Sequence, residues 1–307
     1  MSHPVPLRTI GDVQIFDERM APMALPTSAL RRLGGGATWS EGPLYLPDGS
    51  VIWSDIPNNR ILMWKDGDVT DWMVPSNFTN GRTHDREGRI VHCSHGARAI
   101  VRTEPDGTLT TLVDRYNGHR LNSPNDVVVK RDGTIWFTDP PYGIMSNLEG
   151  YQAESEQAGN FLYRFDPVSG ELTAVVTDMS HPNGLAFSPD ESLLYVSDTS
   201  IHPYGDEGFH HIMVYDVIDG VAATNGRVFA VIEPGCSDGF RLDTEGNIYT
   251  SSLDAIQVFA PDASYIGRIS VPEKIANCCW GGPDRRTLFI TASTSLYAID
   301  LNASDVA

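Results

Sequence analysis

The chain has 307 residues, is 41% hydrophobic and carries a formal charge of −18 at pH 7. That hydrophobic share excludes a disordered chain. The surplus of carboxylates excludes nucleic acid and anionic membrane surfaces as partners, since both call for Lys and Arg. Most of the charge reads as solvated surface, and a minority of the acids read as cation ligands.

Residues 1–20 carry Asp12, Asp17 and Glu18 and contain no apolar core of signal-peptide length. No later run approaches the roughly 18 apolar residues of a membrane-spanning helix. A strand-like run at 13–16 and a short helix at 27–33, after Pro26, are expected first. From there the chain is a succession of short β-rich runs punctuated by turns, the pattern of an all-β fold. The turns are Pro47-Asp48-Gly49, Arg86-Glu87-Gly88, Arg131-Asp132-Gly133, Pro189-Asp190-Glu191, Thr244-Glu245-Gly246 and Pro283-Asp284-Arg285. Asp-Gly and related pairs suit tight hairpins because they tolerate positive φ. A strand is expected after each turn, at 50–53, 89–93, 134–138, 193–197, 247–251 and 287–291. Another follows at 60–64, 99–102, 161–165, 212–216, 255–259 and 295–300.

The acidic turn residues stand at 48, 87, 132, 190, 245 and 284, spaced 39, 45, 58, 55 and 39 residues apart. Six units of this length with about four strands each make a six-bladed β-propeller. The whole chain, 1–307, reads as one such domain, with 1–38 closing the last blade through 13–16. The two long spacings require insertions in the third and fourth units, one of them the acidic stretch 144–160. Four cysteines (Cys93, Cys236, Cys278 and Cys279) form no Cys-x-x-Cys pair. This argues against a zinc ribbon or redox motif and for a reduced, cytoplasmic protein.

Seven residues before each acidic anchor stand Glu41, Asn80, Asn125, Asn183, Asp238 and Asn277. All six carry a carboxylate or carboxamide. In a propeller the innermost strand of each blade runs along the central channel, so residues at the start of these strands surround one point. A ring of oxygens with two carboxylates is the chemistry of a hard divalent cation, with Ca²⁺ the first choice. Mg²⁺, Mn²⁺ and Zn²⁺ stay open, although zinc prefers imidazole and thiolate. One Asn at a strand start favours a turn for its own sake; six at one offset favour a ring.

At these residues the chain resembles the SMP-30/gluconolactonase/LRE-like family and, more distantly, the calcium-dependent diisopropylfluorophosphatases. The resemblance runs from about Trp39 to the end. It rests on Trp39-Ser40-Glu41-Gly42-Pro43, Trp53-Ser54-Asp55-Ile56-Pro57, Asn122-Ser123-Pro124-Asn125-Asp126 and Trp136-Phe137-Thr138-Asp139-Pro140-Pro141-Tyr142-Gly143. It implies Glu41, Asn125, Asn183 and Asp238 as ligands of Ca²⁺, with Asn80 and Asn277 facing substrate or holding water. It further implies a hydrolase that opens sugar lactones such as glucono-1,5-lactone.

Asp238 is the expected general base and Asp126 a weaker one. Arg82, Tyr142 and His202 are expected hydrogen-bond partners of a polyhydroxylated substrate. His92 and Cys93 point to opposite faces of a strand and do not ligate together, whereas His95 is placed near the channel mouth. Asp55, Asp139 and Asp198 read as turn-capping residues. An organophosphate or other ester hydrolase using the same ion is the alternative enzyme, and a non-catalytic propeller scaffold the alternative outside enzymes. The sequence is silent on oligomeric state. A small-molecule lactone is the expected partner.

Overall fold

A computed structural model of the chain describes residues 5–305. Twenty-four strands make six antiparallel propeller blades of four strands each, the sheet of the fifth blade being extended to six by two N-terminal strands. Blade 1 holds Ser40–Tyr45, Val51–Asp55, Arg60–Lys65 and Asp68–Met73, and blade 2 Thr79–His84, Ile90–Ser94, Ala99–Thr103 and Leu109–Val113. Blade 3 holds Val127–Val129, Ile135–Asp139, Phe161–Phe165 and Leu172–Val176, and blade 4 Pro182–Phe187, Leu193–Asp198, His211–Ile218 and Ala222–Val231. Phe240–Leu242, Ile248–Thr250, Ala255–Phe259 and Tyr265–Ser270 form blade 5; Ile275–Gly281, Thr287–Ala292, Ser295–Asp300 and Arg31–Gly35 form blade 6. The first-named strands of the blades pack in cyclic order, blade 6 against blade 1, and line the channel. No helix among the described residues is long and apolar enough to cross a membrane.

The hairpin turns are built by side chains that bond their own backbone. Asp48, Asp132 and Asp190 accept from the backbone N–H two residues on, at 3.0–3.1 Å. In blades 2 and 5 this role falls to Asp85 and Asp243, two residues before the glutamates that mark the repeat. Apolar side chains between neighbouring sheets form the core. One cluster between blades 2 and 3, for example, includes Val91, Cys93, Phe137 and Tyr163.

The N-terminal segment departs from expectation. The run at 13–16 does not reach blade 6: Val13–Ile15 pairs with Tyr265–Ser270 on the outer edge of blade 5, and Arg8–Ile10 pairs outside it. Blade 6 receives Arg31–Gly35, antiparallel to Ser295–Asp300. The helix expected at 27–33 is absent, and a 3₁₀ helix lies earlier at Glu18–Met23, capped by the Asp17 carboxylate. Arg31–Gly35 has poor intrinsic strand propensity and is extended because it fills the open edge of the last sheet. Tertiary pairing overrides local preference here. Both long insertions join the second and third strands of their blades, at 140–160 and 199–210. That puts them on the face where the channel-lining strands begin.

Candidate metal centre

The six residues at the repeated offset close into a ring through contacts between adjacent blades. Gly81 N donates to Asn125 O at 2.9 Å, Gly184 N to Asp238 O at 3.0 Å and Gly239 N to Ala276 O at 2.7 Å. Thr138 Oγ1 donates to Asn183 O at 2.7 Å, and Asn277 Nδ2 to Glu41 Oε2 at 3.0 Å. Between blades 1 and 2, Gly42 lies so close that a Cβ on it would stand 2.4 Å from Asn80 O. Gly42 also has φ +49°, so two constraints select glycine there. In blades 1, 2, 4 and 6 the pairing with the second strand slips by a bulge at the ring residue. Such a bulge re-aims a side chain locally.

The segments leading into the ring are held by Asp55, Asp139 and Asp198, each fully buried at the end of its blade's second strand. Asp55 accepts from Thr38 N at 2.8 Å and Asp139 from Asn122 N at 2.7 Å. Asp198 accepts from Ser180 N at 2.9 Å and from His181 N. Blade 5 uses a hydroxyl instead, Ser251 Oγ accepting from Asp238 N at 2.8 Å. These residues fix the backbone two or three positions before Glu41, Asn125 and Asn183.

Glu41, Asn80, Asn125, Asn183 and Asn277 are buried, and Asp238 is half-buried. Burial pushes the Glu41 carboxyl well above its ordinary range, and the nearby Asp238 and Asp126 charges push it further. Burial likewise raises Asp238 to about 7; Glu149 and Asp126 add to the rise, while Lys274 and Asn183 oppose it. Two carboxylates thus stand close enough to repel in a desolvated site, an arrangement a divalent cation would relieve.

The donor set fits such an ion. Asn80 Oδ1 is buried without a hydrogen-bond partner. Asn183 Nδ2 donates to Thr199 Oγ1 at 3.1 Å, and the same side chain hydrogen-bonds the Asp238 carboxylate. No grouping of three or more His, Cys, Asp or Glu suited to a metal occurs among the described residues. The ring combines its two carboxylates with four carboxamides, a set for a hard ion.

The other expected site residues divide. Tyr142 Oη is 2.7 Å from Thr199 Oγ1, and its ring lies 5.5 Å from that of His181. His202 Nε2 is 3.3 Å from the Sγ of Cys236, two residues before Asp238; burial and Lys274 lower its pKa to about 4, so it is neutral. Arg82 is placed differently from expectation. It is 1% exposed, and its guanidinium donates to Gly42 O and Ser54 Oγ, bracing the wall behind Glu41. Asp126, the weaker candidate base, is 1% exposed, accepts from Val127 N at 2.9 Å and lies 3.5 Å from Arg241 Nη1.

Lys274 and Trp39 carry no role in the sequence reading, and His95, expected near the channel mouth, gains definite partners. His95 Nε2 stands 3.4 Å from Asn80 Nδ2 and its Nδ1 2.9 Å from Glu149 O. Burial lowers its pKa to about 4. The arrangement is that of a neutral ring donating from Nδ1 and accepting at Nε2. Lys274 Nζ lies 5.2 Å from the centre of the Trp39 ring and affects both Asp238 and His202. Trp39 and Lys274 stand two and three residues before ring members, the one signal that could have found them. His92 turns away from the channel, to Thr103 Oγ1 at 2.8 Å.

Comparison with known proteins shows the family and the fold. The family model described as SMP-30/gluconolactonase/LRE-like region matches residues 39–294. A gluconolactonase of Zymomonas mobilis is 31% identical, the match covering 95% of this chain and 86% of that one. A pentonolactonase of Haloferax volcanii is 27% identical over 82% of this chain and 81% of its own. The solved structure of a Xanthomonas campestris gluconolactonase superposes with a TM-score of 0.87 at 39% identity, covering 97% of this chain and 98% of that one. This chain belongs to the SMP-30/gluconolactonase/LRE-like family.

Proposed function

We propose that the ring holds one Ca²⁺ ion and that the protein hydrolyses sugar lactones, glucono-1,5-lactone among them, to the open hydroxy acids. The observation that carries this is the closed ring of six oxygen-bearing side chains, two of them mutually repelling carboxylates, in a chain whose relatives include a gluconolactonase and a pentonolactonase. Glu41, Asn125, Asn183 and Asp238 would hold the ion. A bound divalent cation supplies Lewis acidity at the lactone carbonyl oxygen.

Asp238 carries the proton chemistry. Its carboxylate accepts a proton from water as the water oxygen bonds to the carbonyl carbon. The ring C–O bond then breaks, and the departing oxygen takes the proton back as a hydroxyl. Asn80, whose Oδ1 has no partner, would bond substrate hydroxyls, Asn277 would hold Glu41 beside the substrate, and neutral His202 would offer a further partner at the mouth. The connections 140–160 and 199–210 wall the entrance and would limit the size of lactone admitted.

Replacing Asp238 by Asn tests the assignment. The carboxamide keeps an oxygen and the shape but accepts no proton, so kcat should fall by roughly 10²- to 10⁴-fold with the melting behaviour retained. A variant that opens glucono-1,5-lactone at a near-normal rate, after subtraction of spontaneous opening, overturns Asp238 as base.

A further inference from the structure

A cavity lies away from the ring. A funnel of about 550 Å³ occupies the opposite end of the channel, lined by the far ends of the channel strands and by the hairpin turns. Five arginines reach it: Arg82 at its floor, Arg241 within, and Arg86, Arg131 and Arg285 at its rim. Against them stand three carboxylates, each already paired: Asp305 with Arg285 at 2.5 Å, Glu191 with Lys130 at 3.1 Å and Asp85 with Arg89 at 2.7 Å. In a chain of net charge −18, such a concentration of guanidinium is not a sampling of the composition.

Their hydrogen bonds separate a structural role from a receptive one. Among the described residues, no carboxylate lies within ion-pair distance of Arg82, Arg86 or Arg131. Arg86 donates to Lys130 O at 3.0 Å and Val129 O at 2.8 Å; Arg131 donates to Pro189 O at 2.6 Å. These contacts to the next blade fix the planes of the two guanidinium groups. They leave Nη1 of Arg86, and Nε and Nη1 of Arg131, without a protein acceptor among the described residues. Deeper in, Arg241 pairs with Asp126 at 3.5 Å and donates from Nη1 to Phe240 O at 2.7 Å, and Arg82 Nε is buried without a partner. Arginines braced by neutral carbonyls, with donors to spare, are pre-organised for a carboxylate or phosphate. Half-buried Tyr45 and Phe187 add apolar wall for a carbon skeleton.

We propose that this funnel is a second ligand site, separate from the ring, which binds a small organic oxyanion carrying a carboxylate or phosphate group. The site does not depend on the reaction assigned to the ring.

Isothermal titration of the full-length protein with inorganic phosphate, gluconate and gluconate 6-phosphate at low salt tests it. The wild type should bind at least one of these saturably, and added salt should weaken the binding. The double variant Arg86→Gln/Arg131→Gln, at exposed rim positions, should bind roughly tenfold to a hundredfold more weakly with its melting temperature unchanged. Arg131→Gln alone should show an intermediate loss, a second readout should the double variant fold poorly. The ring variant Glu41→Gln should bind the anion as the wild type does. Phosphate binding alone identifies the phosphate group as the ligand chemistry, and gluconate binding alone the carboxylate. Absence of saturable binding by all three in the millimolar range overturns the proposal. So does binding that survives in the double variant but disappears in Glu41→Gln, which would place the anion at the ring.

Discussion

Asp55 stands at the junction between fold and site, so its removal should be felt in both. The carboxylate is fully buried and accepts from Thr38 N at 2.8 Å, Asn58 Nδ2 at 2.8 Å and Arg60 Nε at 2.9 Å. Removing one partner of a buried ion pair costs about 3–5 kcal/mol. Asp55→Ala belongs at the lower end. Arg60 keeps its bonds to Gly36 O and Asp71, its side chain is 26% exposed, and Thr38 is exposed, so water can serve the abandoned donors. A loss of about 3 kcal/mol, with an unfolding entropy near 2.1 cal/mol/K per residue over 307 residues, lowers Tm by about 5 °C. Because Thr38 and Trp39 lead directly into Glu41, cation affinity should fall as well. Thermal melts with and without Ca²⁺, together with a Ca²⁺ titration, read both effects. A Tm within about 1 °C of wild type and unchanged affinity would refute the view that this carboxylate holds the ring in place.

Two further outcomes follow from the same geometry. A Cβ on Gly239 would stand 2.0 Å from Asn277 Cγ, so Gly239→Ala should displace that amide from Glu41. A stability loss of about 1–3 kcal/mol and weaker cation binding are expected; wild-type cation affinity in a folded Gly239→Ala protein would contradict this. The pH dependence has a definite sign. The pKa of Asp238 rises on folding, from 3.8 to about 7, so the folded state favours the neutral carboxyl. The cation-free protein should therefore lose stability as pH rises from about 4 to 7, by at most about 4 kcal/mol from this group. Water reaching its half-exposed side chain reduces that figure. Cation binding should release protons below pH 7, so affinity climbs to about pH 7 and then levels. Affinity that is flat between about pH 5.5 and 7.5 would contradict it.

The propeller was legible because its units repeat the same local chemistry: a channel strand, an acidic hairpin turn and a second strand. The ring was legible for the same reason, a fixed offset from turn to channel mouth in all six blades. What the sequence left unread depends on contacts between distant segments. Val13–Ile15 alternates as an edge strand should, yet blades 5 and 6 both offer an open edge and local pattern cannot choose between them. Arg31–Gly35 has no strand signature and becomes one through its partner. Arg82 has the look of a substrate donor, but the neighbouring strand places Gly42 O and Ser54 Oγ within its reach. His95 enters the site through Glu149, a residue 54 positions further along the chain. The opposite funnel gathers arginines from four blades, and no stretch of sequence announces them together.

The central claim is that the ring carries the ion required for lactone opening. The most direct measurement is hydrolysis of glucono-1,5-lactone, followed by acid release, on protein stripped with chelator and then resupplied separately with Ca²⁺, Mg²⁺, Mn²⁺ or Zn²⁺. The account predicts that stripping abolishes activity, that Ca²⁺ restores it, and that Glu41→Gln cannot be restored at the same Ca²⁺ concentration. Full activity in stripped protein, or equal restoration of Glu41→Gln, would contradict it.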